Sequence, residues 1–297
     1  MEILVPITIT DAMVTSINVS EDPTAAWVAG TYAADALCHR SSTHRVYRRY
    51  TAGSSTVAPE LDATNWQDLR PTNKWAMFDK EVATATTAPN ILSWVIKPGN
   101  ANAVALVGIS GGEGLTVITR DAPGGNVIST YTDTLEESAP SDWWEYWFMP
   151  FKPRTAVLVA DIEPYLDMEI TITLTGSGTV GCAMCVVGDL RWLGDTQFDA
   201  ECQLVDYSYV DIDKTTGKNT IQKGKVAQDL SAEVLLDASE ANRVKDTMVE
   251  VQGQPCLYVP DRRPQYRYLW TYGLGAGKVK PKSAKEASLP ITVQGLI

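Results

Sequence analysis

Short apolar runs separated by Gly- and Pro-rich turns recur along most of this chain, the pattern of many short β-strands. Residues 1–24 read as an extended N-terminal arm. β-branched residues dominate its segments at 3–5, 7–9 and 13–19, and such an arm can pair with another domain or another subunit. Across 78–188, strands are expected at 91–96, 103–109, 115–119, 126–131, 143–148, 156–159, 168–174 and 180–187. Turn residues at 97–100, 110–114, 121–125 and 175–178 separate them. Ile170, Ile172 and Leu174 alternate with Glu169, Thr171 and Thr173, as in an antiparallel strand with one buried face. The fold expected here is a jelly roll or β-sandwich. The pattern breaks over 189–200, where a domain boundary is placed. The remainder, to 297, reads as an α+β domain. A strand at 204–212, a turn at 214–219, a return at 220–225 and a strand at 227–236 lead into a helix over 240–251. Asp237 or Ser239 can cap that helix, and Val244, Met248 and Val251 form its apolar stripe. Strands follow at 256–259, 266–273, 277–282 and 287–293, and Pro290 marks the last as an edge strand or a strand start.

Residues 25–77 form a different pattern, with isolated aromatic anchors in a polar background. Trp27, Tyr32, Val46-Tyr47 and Trp66 are spaced as in small chitin-binding-type modules, which this stretch resembles. It departs from them at Ala34-Asp35-Ala36, where a Gly-Asp turn is usual. The segment 39–49 is unusually basic, with Arg40, Arg45, Arg48 and Arg49. It reads either as a salt-bridged edge strand or as a contact to an acidic neighbouring subunit.

The densest aromatic stretch is 65–79, which carries Trp66, Trp75, Met77 and Phe78 around Pro71-Thr72-Asn73. Enclosure is the best use of such side chains, so an irregular loop plugging a β core, or two cores at a junction, is expected. An aromatic binding surface is the competing reading. Trp66 followed by Pro71-Thr72-Asn73-Lys74-Trp75-Ala76-Met77-Phe78-Asp79 is similar to a motif of tailed-bacteriophage and prophage tail proteins with a carbohydrate-binding-like module. The similarity extends through Asp142–Phe148 and 161–189. The resemblance implies a structural protein of the virion tail, near the tip, baseplate or an adaptor position. Its partners would be copies of itself and other tail proteins, and it would be assembled in the host cytoplasm. A carbohydrate-binding receptor-recognition protein of the same particle, contacting host surface glycan, is the alternative; a glycan hydrolase is a third. The contact residues expected for a subunit or a glycan are Trp27, Tyr32, Arg45, Arg48, Arg49, Trp66, Trp75, Trp143 and Trp147. As a strand, 143–148 has both faces aromatic, so it should be sandwiched between layers, unless one face stacks on a sugar.

Composition narrows the chemistry. The chain has 297 residues and a net charge of −11, which argues against a nucleic-acid partner. Hydrophobic residues at 44% support folded domains, and nine Trp add to the aromatic signal. Five scattered Cys do not form a disulfide framework. No run approaches the roughly 18 apolar residues of a spanning helix, so neither membrane insertion nor a signal peptide is expected. Cys182-x-x-Cys185 lies in a strand pattern and reads as two small apolar residues rather than a redox or zinc pair. The only two His, His39 and His44, sit by no nucleophile signal. No catalytic set, metal or cofactor is therefore expected. Asp161-x-Glu163 and Asp167-x-Glu169 tempt a glycosidase reading, but with 36 acidic residues in the chain their closeness carries little weight.

Overall fold

The structure, a computed structural model, describes residues 1–79, 81–136, 142–148, 153–212, 215 and 217–296. It is mainly β, with β-sandwich-like antiparallel sheets and a small helical segment towards the C-terminus. Two compact units form, Thr8–Val186 and Met1–Ile7 together with Val187–Ile297.

In the first unit, Thr86–Ile96 pairs on one side with Val14–Ile17 and on the other with the long strand Glu169–Trp192. Gly114–Arg120 continues that sheet beside the long strand, and Val127–Thr134 closes it. Ala103–Ser110 pairs with Ala156–Val159 and with the long strand. Alternation decides the inner face: Leu92, Trp94, Ile96, Leu115, Val117, Ile170, Ile172 and Leu174 are all buried. The register between Thr86–Ile96 and the long strand shifts between Thr175 and Thr179. Opposite that shift, Asn90 takes φ +61°, a left-handed conformation that Asn tolerates better than most residues.

The small module belongs to the same unit. Leu37–Arg40, Arg45–Arg49 and Trp66–Pro71 form a three-stranded sheet, and Gly30–Tyr32 pairs with Gly53–Ser55. Arg45–Arg49 is the central strand, so the edge strand expected for the basic segment is corrected: its backbone is paired on both sides.

In the second unit, Glu2–Pro6 lies between residues 188–192 of the long strand and Cys256–Val259. The sheet continues through Thr271–Gly277, Glu286–Gly295 and Val226–Asp237. Helix Ala241–Glu250 contributes Val244 to a core with Ile3, Leu230, Val234, Tyr258, Leu289, Ile291 and Val293.

The extended segments of 1–24 find their pairing partners within this chain: the first strand is internal to a sheet and 14–17 is paired within the first unit. Several expectations are corrected. The long strand runs through Trp192 rather than breaking at 189, because its partner there is Glu2–Pro6, far away in sequence. Residues Pro264–Leu269 form a 3₁₀ helix, not the start of a strand. Neither Asp237 nor Ser239 caps the C-terminal helix, whose N-cap position is Glu240. Pro290 lies inside a strand with neighbours on both sides. It falls where the partner ladder is interrupted between Gly277 and Lys280, so its missing N–H removes no paired bond. The segment Trp143–Phe148 is an α-helix rather than a strand.

Candidate functional site

The module is built around Trp66, which is 2% exposed and clusters with Cys38 and Tyr47. Tyr32 meets its ring edge-on at 4.9 Å, and Trp27 packs against the same cluster. The Arg49 guanidinium lies 5.1 Å over the Trp66 ring, and that of Arg40 lies 5.1 Å over Trp27. The Trp66 indole N–H donates to Ser55 Oγ at 3.2 Å.

The module's arginines are engaged locally. Arg40 donates to Glu60 at 3.0 Å, Arg45 to Asp68 at 2.8 Å and Glu81 at 3.1 Å, and Arg48 to Gln67 at 2.8 Å. Buried Arg49 lies 3.6 Å from Asp62 and donates to the carbonyls of Thr51 and Ser54. Each thus has a partner within this chain.

The segment after Trp66 works as a staple inside the first unit. Arg70 and the Asn73 backbone N–H both donate to Asp22, whose side chain is fully enclosed. Asn73 exchanges hydrogen bonds with the backbone of Thr87 in the sandwich. Thr72 donates to Glu21 at 2.8 Å. The His44 ring stacks on Trp75 at 4.0 Å and 7°, its Nδ1 2.7 Å from Glu21 and its Nε2 3.0 Å from Asp11. Trp75 also meets Phe78 edge-on at 5.3 Å. Loop 21–22, the module turn and the sandwich strand are thus tied by one short stretch. Asp11, Glu21 and Asp22 escaped the sequence reading because the partners that tie the staple, His44, Arg70, Thr72 and Asn73, lie more than twenty residues away; only the Asp22 bonds to Thr24 are local.

At the end of the staple, burial pushes the Asp79 carboxyl up to about 6, and the charge of Glu81 pushes the same way. One Asp79 oxygen is buried with no hydrogen-bond partner among the described residues. A carboxyl whose folded pKa is raised favours folding only while it is protonated. That contribution is full below about pH 4 and is lost as pH rises through about 6. Asp79→Asn is therefore expected to stabilise the protein at pH 7 by on the order of 1 kcal/mol after allowing for solvent screening. The gain should shrink towards pH 4; urea midpoints at both pH values check it.

The Trp143–Phe148 helix leaves Trp143 78%, Trp144 60%, Trp147 70% and Phe148 71% exposed. The expectation that this segment is sandwiched between layers is corrected. Helical spacing places Trp143 with Trp147, and Trp144 with Phe148, whose rings lie 5.8 Å apart.

A second surface of this kind lies in the C-terminal unit. Glu201–Asp206 pairs with the start of Val226–Asp237, and Tyr209–Ile212 pairs with Asn219–Gln222 to prolong the ribbon. Every residue of the two distal strands is exposed. Val210 faces Ile221 across the pair, with Ile212 on the same face; Tyr209, Asp211, Thr220 and Gln222 take the other. At the base, Leu204 and Val226 are exposed as well. Gly224 allows the joint between the two ladders, since a Cβ there would lie 2.3 Å from the Tyr207 backbone. The hairpin was legible from its turn residues; its projection from the core was not.

All five cysteines are free thiols. Burial raises Cys182 and pushes Cys185 up to about 12, so neither is a ready nucleophile. Comparison of the chain with protein-family models, with curated proteins and with solved structures gives no match.

Proposed function

We propose that this chain is a non-enzymatic structural subunit of a bacteriophage tail, present in multiple copies in the virion. The observation that carries the reading is the use made of residues 66–79, the stretch that resembles tail proteins. Its side chains hold three pieces of the fold together, and its Trp66 sits in the module's buried cluster with Cys38 and Tyr47. The module then serves as scaffold, with Trp66 inside it rather than offered as a platform. His44 is flanked by carboxylates and an indole, an arrangement that anchors a turn and activates no nucleophile. Mass spectrometry and imaging of purified virions test the proposal. The chain should be found in the tail at a fixed stoichiometry, and its absence from particles would overturn the reading.

A carbohydrate-recognition reading is favoured by one observation, the exposed Trp143, Trp144 and Trp147 on a single helix. Stacking on sugar rings there predicts quenching of Trp fluorescence by host surface polysaccharide, lost in Trp143→Ala/Trp147→Ala. A flat titration of the parent chain would end that reading.

A further inference from the structure

We propose that the outer face of the C-terminal sheet carries a binding site for a sugar acid, a saccharide unit bearing a carboxylate. The site is separate from the Trp143–Phe148 helix, which belongs to the other unit, and goes beyond the assembly reading.

The site is a cavity of about 520 Å³. Strand alternation places it. Leu230, Val234, Ile291 and Val293 point into the core, so Ser231, Glu233, Pro290 and Thr292, interleaved with them, face away from it and line the cavity. Pro290 sits where the neighbouring ladder is interrupted between Gly277 and Lys280, and Lys278 and Lys280 border the cavity at that gap. Asp199 lines it as well.

Three observations select the ligand. First, the cavity holds two lysines and two carboxylates, and among the described residues none of these four side chains makes an ion pair or a hydrogen bond. Arg191, Arg243, Arg262 and Arg263 of the same unit are all paired. Opposite charges that share a cavity without meeting leave donors and acceptors for a ligand with one anionic group and several hydroxyls. Second, residues 278–285 carry four lysines and no carboxylate, so that wall attracts an anion although the chain's net charge is −11. Third, the remaining lining suits a sugar ring. The Ser231 and Thr292 hydroxyls can donate or accept, and Pro290 and Ala276 offer apolar surface. Phe198, next to Asp199 in the chain, is 96% exposed and lines a second cavity with Tyr266 and Tyr268, aromatic faces on which a further ring can stack. An amino acid would engage one carboxylate with its ammonium and leave the other acceptors idle.

Isothermal titration calorimetry of the full chain with galacturonate, glucuronate and N-acetylneuraminate tests the site, with galactose and glucose as neutral controls. At least one acid should bind, and the neutral sugars at least about tenfold more weakly. Lys278→Gln/Lys280→Gln should weaken binding about tenfold or more, the effect of losing charged hydrogen bonds, with circular dichroism unchanged. Glu233→Gln should weaken it too, because a carboxylate acceptor for hydroxyls is lost. Mere adsorption of an anion predicts the reverse. Glu233→Gln would then tighten binding, and Lys282→Gln/Lys285→Gln, outside the cavity, would cost as much as the change at 278 and 280. That result, or no binding of any of the three acids, overturns the site. Binding lost in Trp143→Ala/Trp147→Ala but kept in Lys278→Gln/Lys280→Gln places the sugar on the helix and overturns the site as well. Oligomers of the bound acid separate its two sources. Affinity that grows with length and falls in Phe198→Ala supports the site with an acidic polysaccharide as ligand; equal affinity for monomer and oligomer supports it with the free sugar acid.

Discussion

Trp66→Ala is expected to cost about 3–5 kcal/mol, the range for removing a fully buried large aromatic side chain. The module has few other apolar groups, so little can collapse into the space. Tyr32 loses the ring it meets edge-on, and Ser55 loses its indole donor. Arg49, itself buried, loses the π-face beneath its guanidinium. Trp66→Phe keeps a ring under Arg49 and should recover part of the loss. Urea unfolding followed by circular dichroism, with limited proteolysis mapped to residues 25–77, measures both. A loss below about 1 kcal/mol would mean that the module does not depend on this ring.

The second large effect is expected at Asp22. Its Oδ1 accepts from the Thr24 backbone N–H at 3.0 Å, from Thr24 Oγ1 at 2.8 Å and from Arg70 at 3.1 Å. Its Oδ2 accepts from Arg70 at 2.8 Å and from the Asn73 N–H at 3.1 Å. Burial by itself raises this carboxyl, but the donors, Arg70 first, outweigh it and hold the group below the ordinary carboxylate value. Asp22→Ala should cost about 3 kcal/mol, the low end for breaking a buried pair, because Arg70 is partly exposed and water can solvate it. Asp22→Asn should fare little better, since its amide turns donors towards donors. The sign with pH follows from the lowered pKa. The carboxylate's contribution is present above the unfolded value of about 3.9 and is lost as pH falls through the lower folded value. The gap between the parent and Asp22→Asn should therefore be full at pH 7 and close below about pH 4. A gap independent of pH would show that shape, not charge, decides at this position.

The chain itself determined what depends on neighbours in sequence. Alternation of Ile170, Ile172 and Leu174 with polar residues set which face of that strand is buried, and Gly/Pro clusters placed the turns. The spacing of Val244 and Val251 put both in the core from one side of a helix. Size favoured enclosure of Trp66 over an exposed binding surface, and the ring is enclosed. Tertiary structure decided what depends on distant partners. Aromatic residues at 143–148 satisfy strand and helix patterns alike, because six residues are too few for either period to dominate. The pairing of Glu2–Pro6 with 188–192 decided which partner the N-terminal segment takes and carried the long strand past its expected end. Arg45, Arg48 and Arg49 read as one basic segment until the fold gave them separate carboxylate, amide and carbonyl partners. The ribbon at 201–231 shows the division most clearly. Its strands and turn follow from local propensity, whereas its standing clear of the core depends on where the rest of the sheet ends, a long-range balance of burial that no window of sequence contains.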